Sequence, residues 1–205
     1  MVQHLAASGI AFGRNMVGII TRPYETCRRI VGKGTPWELV YIGVILIFYF
    51  ATAAIVKTSL FRPFLLTRQF VLLGAATAAT FLLAVSLFWQ VGRWFGAKGN
   101  FRGLMLGWGY SLVPTLVWFW MTSLLYIALP PPRTTGVLGI VFSIVYLFIS
   151  ATLLFWKIIL SYLAIRFGMR LDFAKIVAVC AIVLPVLGAY SVGMNRLGIF
   201  RIPFI

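Results

Sequence analysis

Few residues in this chain could carry out acid–base, nucleophilic or metal chemistry. Its 205 residues include a single histidine, two cysteines and three carboxylates, the last being Glu25, Glu38 and Asp172. The cysteines, Cys27 and Cys180, have no metal-binding spacing, and no serine, cysteine or carboxylate lies in a recognisable nucleophile motif. We therefore predict no catalytic residue, no metal site and no cofactor, and a protein that is not an enzyme.

The composition of the chain indicates that most of its secondary structure lies in a membrane. Hydrophobic residues make up 62% of the chain and charged residues only 10%, which leaves too little polar surface to cover a water-soluble particle. The formal net charge is +15, but the basic residues stand singly or in pairs between apolar runs rather than along one hydrophilic face. We therefore expect anionic lipid headgroups, and no nucleic acid, as the counter-charge.

Five apolar segments are long enough to cross a bilayer, whose hydrocarbon core of about 30 Å needs roughly 20 helical residues. They are approximately residues 37–56, 70–91, 104–129, 137–156 and 176–194. Backbone groups in lipid must bond internally, and these runs lack the alternation of barrel strands, so we predict an all-α integral membrane protein with a five-helix transmembrane bundle. Pro114 and Pro185 should kink the third and fifth helices.

The Lys and Arg residues outside these spans divide unequally between the two sides of the bilayer. Twelve lie before the first span, between the second and third, or between the fourth and fifth, and six lie on the opposite side. The positive-inside rule then places the N-terminus in the cytoplasm and, with five spans, the C-terminus outside. The predicted organisation is a cytoplasmic N-terminal segment 1–34, a membrane domain 35–195 and a short external tail 196–205.

A short amphipathic helix is expected before the first span. Thr21 would be its N-cap, Pro23 and Glu25 would lie in its first turn, and Gly32 or Gly34 would end it. Two placements remain open, one on the bilayer surface and one packed under the bundle.

Charged residues near the end of the fourth span suggest interface roles. Lys157 follows Trp156 where the cytoplasmic interface is expected, and we interpret the pair as an anchor with a snorkelling ammonium rather than a buried functional charge. Asp172 lies in the next loop, and we predict local ion pairs with Arg166 and Arg170.

Small residues in the second and third spans indicate close helix packing. Gly74 with Ala78, and Ala75 with Ala79, form small-xxx-small pairs, for which we favour packing within the chain over a dimer interface. In the third span, Gly107 and Gly109 precede Pro114 by one to two turns. A close helix crossing is expected there.

The third span also contains a family motif. The run Gly109-Tyr110-Ser111-Leu112-Val113-Pro114 resembles the Yip (Ypt-interacting protein) family, and the entry Arg22-Pro23-Tyr24-Glu25-Thr26 and the exit Ala164-Ile165-Arg166 are also similar. The resemblance covers roughly residues 20 to 195. It implies five membrane helices, a cytoplasmic N-terminus and, in eukaryotic members, vesicle traffic with binding to Rab GTPases and to one another. The chain lacks the Asp-Leu-Tyr-Gly-Pro motif of those members and resembles compact prokaryotic ones, which implies a bacterial cytoplasmic (inner) membrane.

Two functional hypotheses follow. The first is a non-enzymatic membrane scaffold of the Yip family that acts through helix packing and binds a protein partner or a second copy of itself. The second is a small transporter or accessory permease subunit, which would need a polar path across the membrane. Hydroxyl side chains are the available candidates, and they more often bond back to their own helix; they are Thr77, Thr80, Ser86, Ser111, Thr115, Ser143, Ser150 and Thr152.

Overall fold

The structure is a computed structural model that describes residues 2–57, 63–128 and 136–198. Within these ranges it is all-helical. The helices are α1 (Val2–Thr21), α2 (Pro23–Lys33), α3 (Trp37–Lys57), α4 (Pro63–Trp94), α5 (Phe101–Tyr110), α6 (Val113–Ala128), α7 (Val137–Met169) and α8 (Phe173–Arg196).

Several of these helices can cross a membrane. Four stretches are long and apolar enough by themselves, namely Phe70–Trp94, Phe101–Leu125, Gly139–Met169 and Phe173–Arg196. The helix pair Pro23–Lys33 and Trp37–Thr52, bent by 118°, passes the same test together, so up to five spans fit by length and composition. The all-helical membrane fold is confirmed, and the fifth span stays a prediction.

The predicted third span is one stretch, Phe101–Leu125, interrupted by a turn between α5, which ends at Tyr110, and α6, which begins at Val113. Pro114 has no N–H to donate to the carbonyl of Tyr110, so one bond of the helical ladder is lost there. The ladder reaches Ser111, whose N–H donates to the carbonyl oxygens of Gly107 and Trp108, both at 3.1 Å. The predicted end of this span, residue 129, lies outside the described residues.

The helix of the predicted fourth span is longer than the span. α7 runs for 33 residues from Val137 to Met169, past the predicted span end at residue 156. A Trp-Lys pair does not break a helix, and the chain leaves helical geometry only at Arg170, whose φ of 54° and ψ of 45° are left-handed. Trp156 and Lys157 therefore lie inside α7, and their role as interface anchors stays a prediction.

A helix, α2, forms where the amphipathic helix was predicted, with a different start, and its amphipathic role stays a prediction. α1 continues through Thr21, and Arg22 is the N-cap residue of α2 without a side-chain hydrogen bond, so the prediction of Thr21 as the cap is wrong. Pro23 lies in the first turn, and Gly34 is the C-cap, as expected.

α2 packs against α5 and α7. Its side chains of Thr26, Cys27 and Ile30 are buried, and the ring of Tyr24 meets that of Phe167 on α7 edge-on at a centroid distance of 5.0 Å. The position of α2 relative to the bilayer surface stays a prediction.

α5 and α7 cross at a distance that requires glycine. A Cβ atom on Gly107 would lie 3.1 Å from the Cα of Ala164, and a Cβ atom on Gly168 would lie 2.7 Å from the Cα of Leu104. Backbone atoms cannot move aside as the tip of a side chain can, so these two glycines let the helices touch. The close crossing predicted at Gly107 is confirmed.

The small-residue pairs of α4 do not pack within the chain. Gly74 has no atom within 4 Å of the position of a Cβ, and Ala75, Ala78 and Ala79 are exposed. Gly74 and Ala78 instead line an apolar groove of about 360 Å³ between α3 and α4. The expectation that these pairs close an intrachain contact is therefore wrong.

One end of the bundle gathers most of the basic residues. α2 packs on α5 and α7, and the connection between α4 and α5 reaches the end of α7, where the N–H of Asn100 donates to the carbonyl of Gly168 at 3.0 Å. We call this region, with α1 and the start of α8, the basic end. Its Lys and Arg residues are Arg14, Arg22, Arg28, Arg29, Lys33, Arg93, Lys98, Arg102, Arg166, Arg170 and Lys175.

Candidate functional site: a buried carboxylate at the basic end

Glu38 is a carboxylate buried in the first turn of α3. Only 1% of its surface is exposed. Its Oε1 accepts hydrogen bonds from the backbone N–H of Thr35 at 2.8 Å and from the Thr35 hydroxyl at 3.4 Å. The run Thr35-Pro36-Trp37-Glu38 has the spacing of a capping box, in which the acidic residue reaches back to the N–H three residues earlier. Local sequence therefore holds this carboxylate at the helix start.

The second carboxylate oxygen joins three helices. Oε2 of Glu38 accepts from the hydroxyl of Tyr110 on α5 at 2.5 Å and from Nδ2 of Asn15 on α1 at 2.8 Å. Tyr110 is fully buried, and Asn15 is 4% exposed. A guanidinium nitrogen of Arg29 on α2 donates to Oδ1 of Asn15 at 2.9 Å. Glu38, Tyr110, Asn15, Thr35 and Arg29 thus form one connected set, which we call the Glu38 network.

The Glu38 network satisfies a buried charge with hydrogen bonds rather than with a direct ion pair. An ionised carboxylate offers about four acceptor positions, and four donor contacts are present here. Within the described part of the chain the single ion pair joins Arg22 and Glu25, at 3.9 Å. The network links four helices, and the loss of any partner would leave buried polar groups unpaired. We therefore interpret its role as holding these helices in position.

The family profile described as the Yip1 domain matches residues 17–194, most of the chain, including α2, Glu38 and the Tyr110 motif. The chain belongs to the Yip1 domain family. It is accordingly a multi-pass membrane protein. No curated protein and no solved structure gives a significant match. Asn15, which completes the Glu38 network, lies just before the matched residues of this Yip1 domain.

Residues of the run that resembles the Yip family lie at or beside this site. Tyr110 supplies a hydroxyl to the Glu38 network, and Pro114 lies just after the turn that follows α5. Gly109 faces α3, where an added Cβ would meet the side chain of Leu39 and lie 3.4 Å from Cδ1 of Ile42.

The residues predicted around the α7–α8 corner do not form the expected ion pairs. Asp172 is the N-cap residue of α8, makes no side-chain capping bond, and is not paired with Arg166 or Arg170. Arg166 instead donates to the hydroxyl of Tyr162 at 3.1 Å, one turn earlier on the same helix. An i to i−4 contact along α7 is available to Arg166 without ordering the loop, which explains the difference.

Four of the eight membrane hydroxyls bond to their own helices. Ser111, Ser143 and Thr152 donate to carbonyl oxygens three or four residues earlier, at 2.7 to 2.9 Å, and Thr80 donates to the carbonyl of Ala76 at 2.7 Å. Ser150 instead accepts from Nε1 of Trp118 on α6 at 2.9 Å. Thr77, Thr80 and Thr115 line a cavity of about 30 Å³. The buried hydroxyl of Thr77 has no partner within the described structure.

Sequence reasoning missed Glu38, Asn15 and Arg29 as site residues. The capping-box spacing of Thr35 and Glu38 was the available signal for the carboxylate. Asn15 had no such signal, because its contacts to Glu38 and Arg29 depend on how α1 folds across α3.

Proposed function

We propose that this Yip1 domain protein is a non-enzymatic membrane scaffold whose basic end holds a protein partner at the cytoplasmic face of a bacterial inner membrane. The Glu38 network carries the proposal, since it fixes α1, α2, α3 and α5 to one another directly beneath the positively charged surface. A surface that is already rigid loses little conformational entropy when a partner binds.

The charge of the basic end supports a recognition role. Eleven Lys and Arg residues are found there, whereas the whole chain has three carboxylates, one of which is the buried Glu38. Positive potential of this kind steers an acidic partner and orients it. Arg102 also donates to the carbonyl of Gly34 at 2.6 Å, so part of this charge is held in place by the α2–α3 connection.

Photo-cross-linking in cells tests the scaffold proposal. A benzophenone amino acid at Trp94 or Phe173, which are 70% and 66% exposed at the basic end, should give protein adducts of defined mass. The matched control is Phe148, which is 71% exposed in the middle of α7 and should give lipid adducts. Absence of a protein adduct at both basic-end positions, with the protein folded and inserted, would contradict the proposal.

The orientation has its own test. We expect a reporter that is active only in the periplasm to work when fused to the C-terminus and to fail at the N-terminus, because the charge bias predicts N-in with five spans. Equal activity of the two fusions would refute that topology.

A transporter is the second candidate, and one observation bears on it. The cavity around Thr77, of about 30 Å³, has room for about two or three water molecules, given the roughly 10–15 Å³ that each needs. A water there would supply the missing partner of the Thr77 hydroxyl. We therefore interpret the cavity as a hydration site and place the scaffold first.

A further inference from the structure

α1 has large apolar side chains on its outer face. Ile10, Val17 and Ile20 are 77%, 63% and 65% exposed, whereas Ser8 and Asn15, 4% exposed each, are buried on the inner side together with the apolar Ile19. A helix on a water-facing surface carries mostly polar residues on its outer face. The outer face of α1 is therefore built to contact an apolar phase.

α1 lies across the start of α3 rather than along it. Ser8 contacts Thr35 at 3.1 Å between hydroxyls, the ring of Phe12 stacks on Tyr41 at 5.5 Å, and Asn15 bonds Glu38. These contacts span two turns of α1 but stay within residues 35–41 at the beginning of α3. A helix that ran beside α3 along its whole length would contact successive turns of it. These contacts place α1 beside the beginning of α3.

A cleft of about 470 Å³ opens between α1 and α2 beside this apolar face. Three guanidinium groups line it, from Arg14, Arg22 and Arg29, against one carboxylate, Glu25, which is 3.9 Å from Arg22. Arg29 is anchored to Asn15, while its buried Nε has no partner in the described structure. Several arginines around one opening suit a phosphate, which can accept forked hydrogen bonds from each.

We propose that α1 lies in the headgroup layer with Ile10, Val17 and Ile20 among the acyl chains, and that Arg14, Arg22 and Arg29 bind the phosphate of an anionic phospholipid in the cleft. Arg14 lies four residues after Ile10 and three before Val17, on the same face, so its charge can remain at the phosphate level while its stem covers apolar surface. Because arginines and exposed apolar side chains lie side by side here, a phosphate that carries acyl chains fits the site better than free phosphate does. The inference rests on the proposed membrane orientation and gives the predicted headgroup contact a defined site.

Lipid binding by the full chain in mild detergent tests the cleft. Titration with phosphatidylglycerol and with phosphatidylcholine, read by native mass spectrometry, should show preference for the anionic lipid. The double variant Arg14→Gln, Arg22→Gln should weaken phosphatidylglycerol binding by roughly tenfold or more, since each lost hydrogen bond to a charged phosphate contributes roughly tenfold. The matched double variant Arg28→Gln, Arg93→Gln removes the same charge from exposed positions outside the cleft, loses no phosphate contact, and should change binding by less than about threefold.

Three results would overturn the cleft site. They are equal binding of the two lipids, equal losses in the two double variants, and competition by inorganic phosphate as strong as that by the lipid. Protein adducts at Trp94 and Phe173 would still form if only the lipid site were absent, so failure of this inference is separable from failure of the scaffold proposal.

The position of α1 needs a second measurement. A spin label at Val17→Cys, in a Cys180→Ala background with buried Cys27 left in place, should be more accessible to oxygen than to a water-soluble nickel complex in vesicles. The same label at Arg28→Cys, on the exposed side of α2, should show the reverse. Water-like accessibility at both positions would exclude α1 from the headgroup layer.

Discussion

Glu38→Ala is expected to lower the stability of the folded protein by about 3–5 kcal/mol, because three buried donors lose their acceptor at once. The Thr35 N–H, the Asn15 amide and the Tyr110 hydroxyl all bond this carboxylate. Thermal melting of the purified variant in detergent, followed by size-exclusion chromatography, measures the loss.

Two comparisons make the Glu38 prediction specific. Glu25→Ala removes an equal charge from a side chain that is 74% exposed and should change stability by less than about 0.5 kcal/mol. Tyr110→Phe removes one donor and leaves the carboxylate with Asn15 and Thr35, for an expected cost of about 1 kcal/mol. If Glu38→Ala melts with the wild type, the network does not hold the basic end together.

Gly168→Ala should destabilise the protein by about 1–3 kcal/mol although alanine is the better helix former by up to about 1 kcal/mol. The added Cβ would lie 2.7 Å from the Cα of Leu104 and 3.0 Å from its backbone N, so α5 and α7 must separate. Melting in detergent and folded yield report the effect.

Two other glycines of the bundle serve as controls for the Gly168→Ala prediction. Gly188→Ala in α8 meets no atom within 4 Å and should be neutral or stabilising. Gly109→Leu should lie between the two, since its Cβ first meets the flexible side chain of Leu39 rather than backbone. A melting temperature for Gly168→Ala at or above that of Gly188→Ala would show that the α5–α7 contact is not as close as the structure has it.

Hydropathy was sufficient to predict the membrane class and where the long apolar helices form, because bilayer thickness imposes a length that the sequence displays directly. It did not predict α1, the helix Val2–Thr21. It was not sufficient for helix ends. α7 continues past the predicted span end at residue 156, because nothing in Trp156-Lys157 stops a helix. No packing role was therefore predicted for Gly168, which contacts α5. The close approach at Gly107 was predictable, because a glycine inside an apolar span has few other uses.

The candidate site was predictable only in its local part. Tyr110 was identified from the family motif, and Glu38 could have been identified from its capping-box spacing with Thr35. Its remaining partners come from α1 and α2, which reach Glu38 only after the N-terminal helices fold back across the bundle. Hydrophobic periodicity predicts which face of a helix is buried, but it does not indicate which residue a polar side chain on a short helix will contact.

The length of α7 determines how far the basic end stands from the hydrocarbon. Its 33 residues measure about 50 Å along the axis. Even at a tilt of about 40°, the upper range for membrane helices, it would cover about 38 Å of depth against a hydrocarbon core of about 30 Å. At least one end must therefore emerge by several ångströms. The end that carries Leu160 and Ala164 is enclosed by its neighbours, so an α7 that emerged there would keep its apolar surface covered. We therefore expect α2 and α5 to form a collar that shields α7 from water at that end.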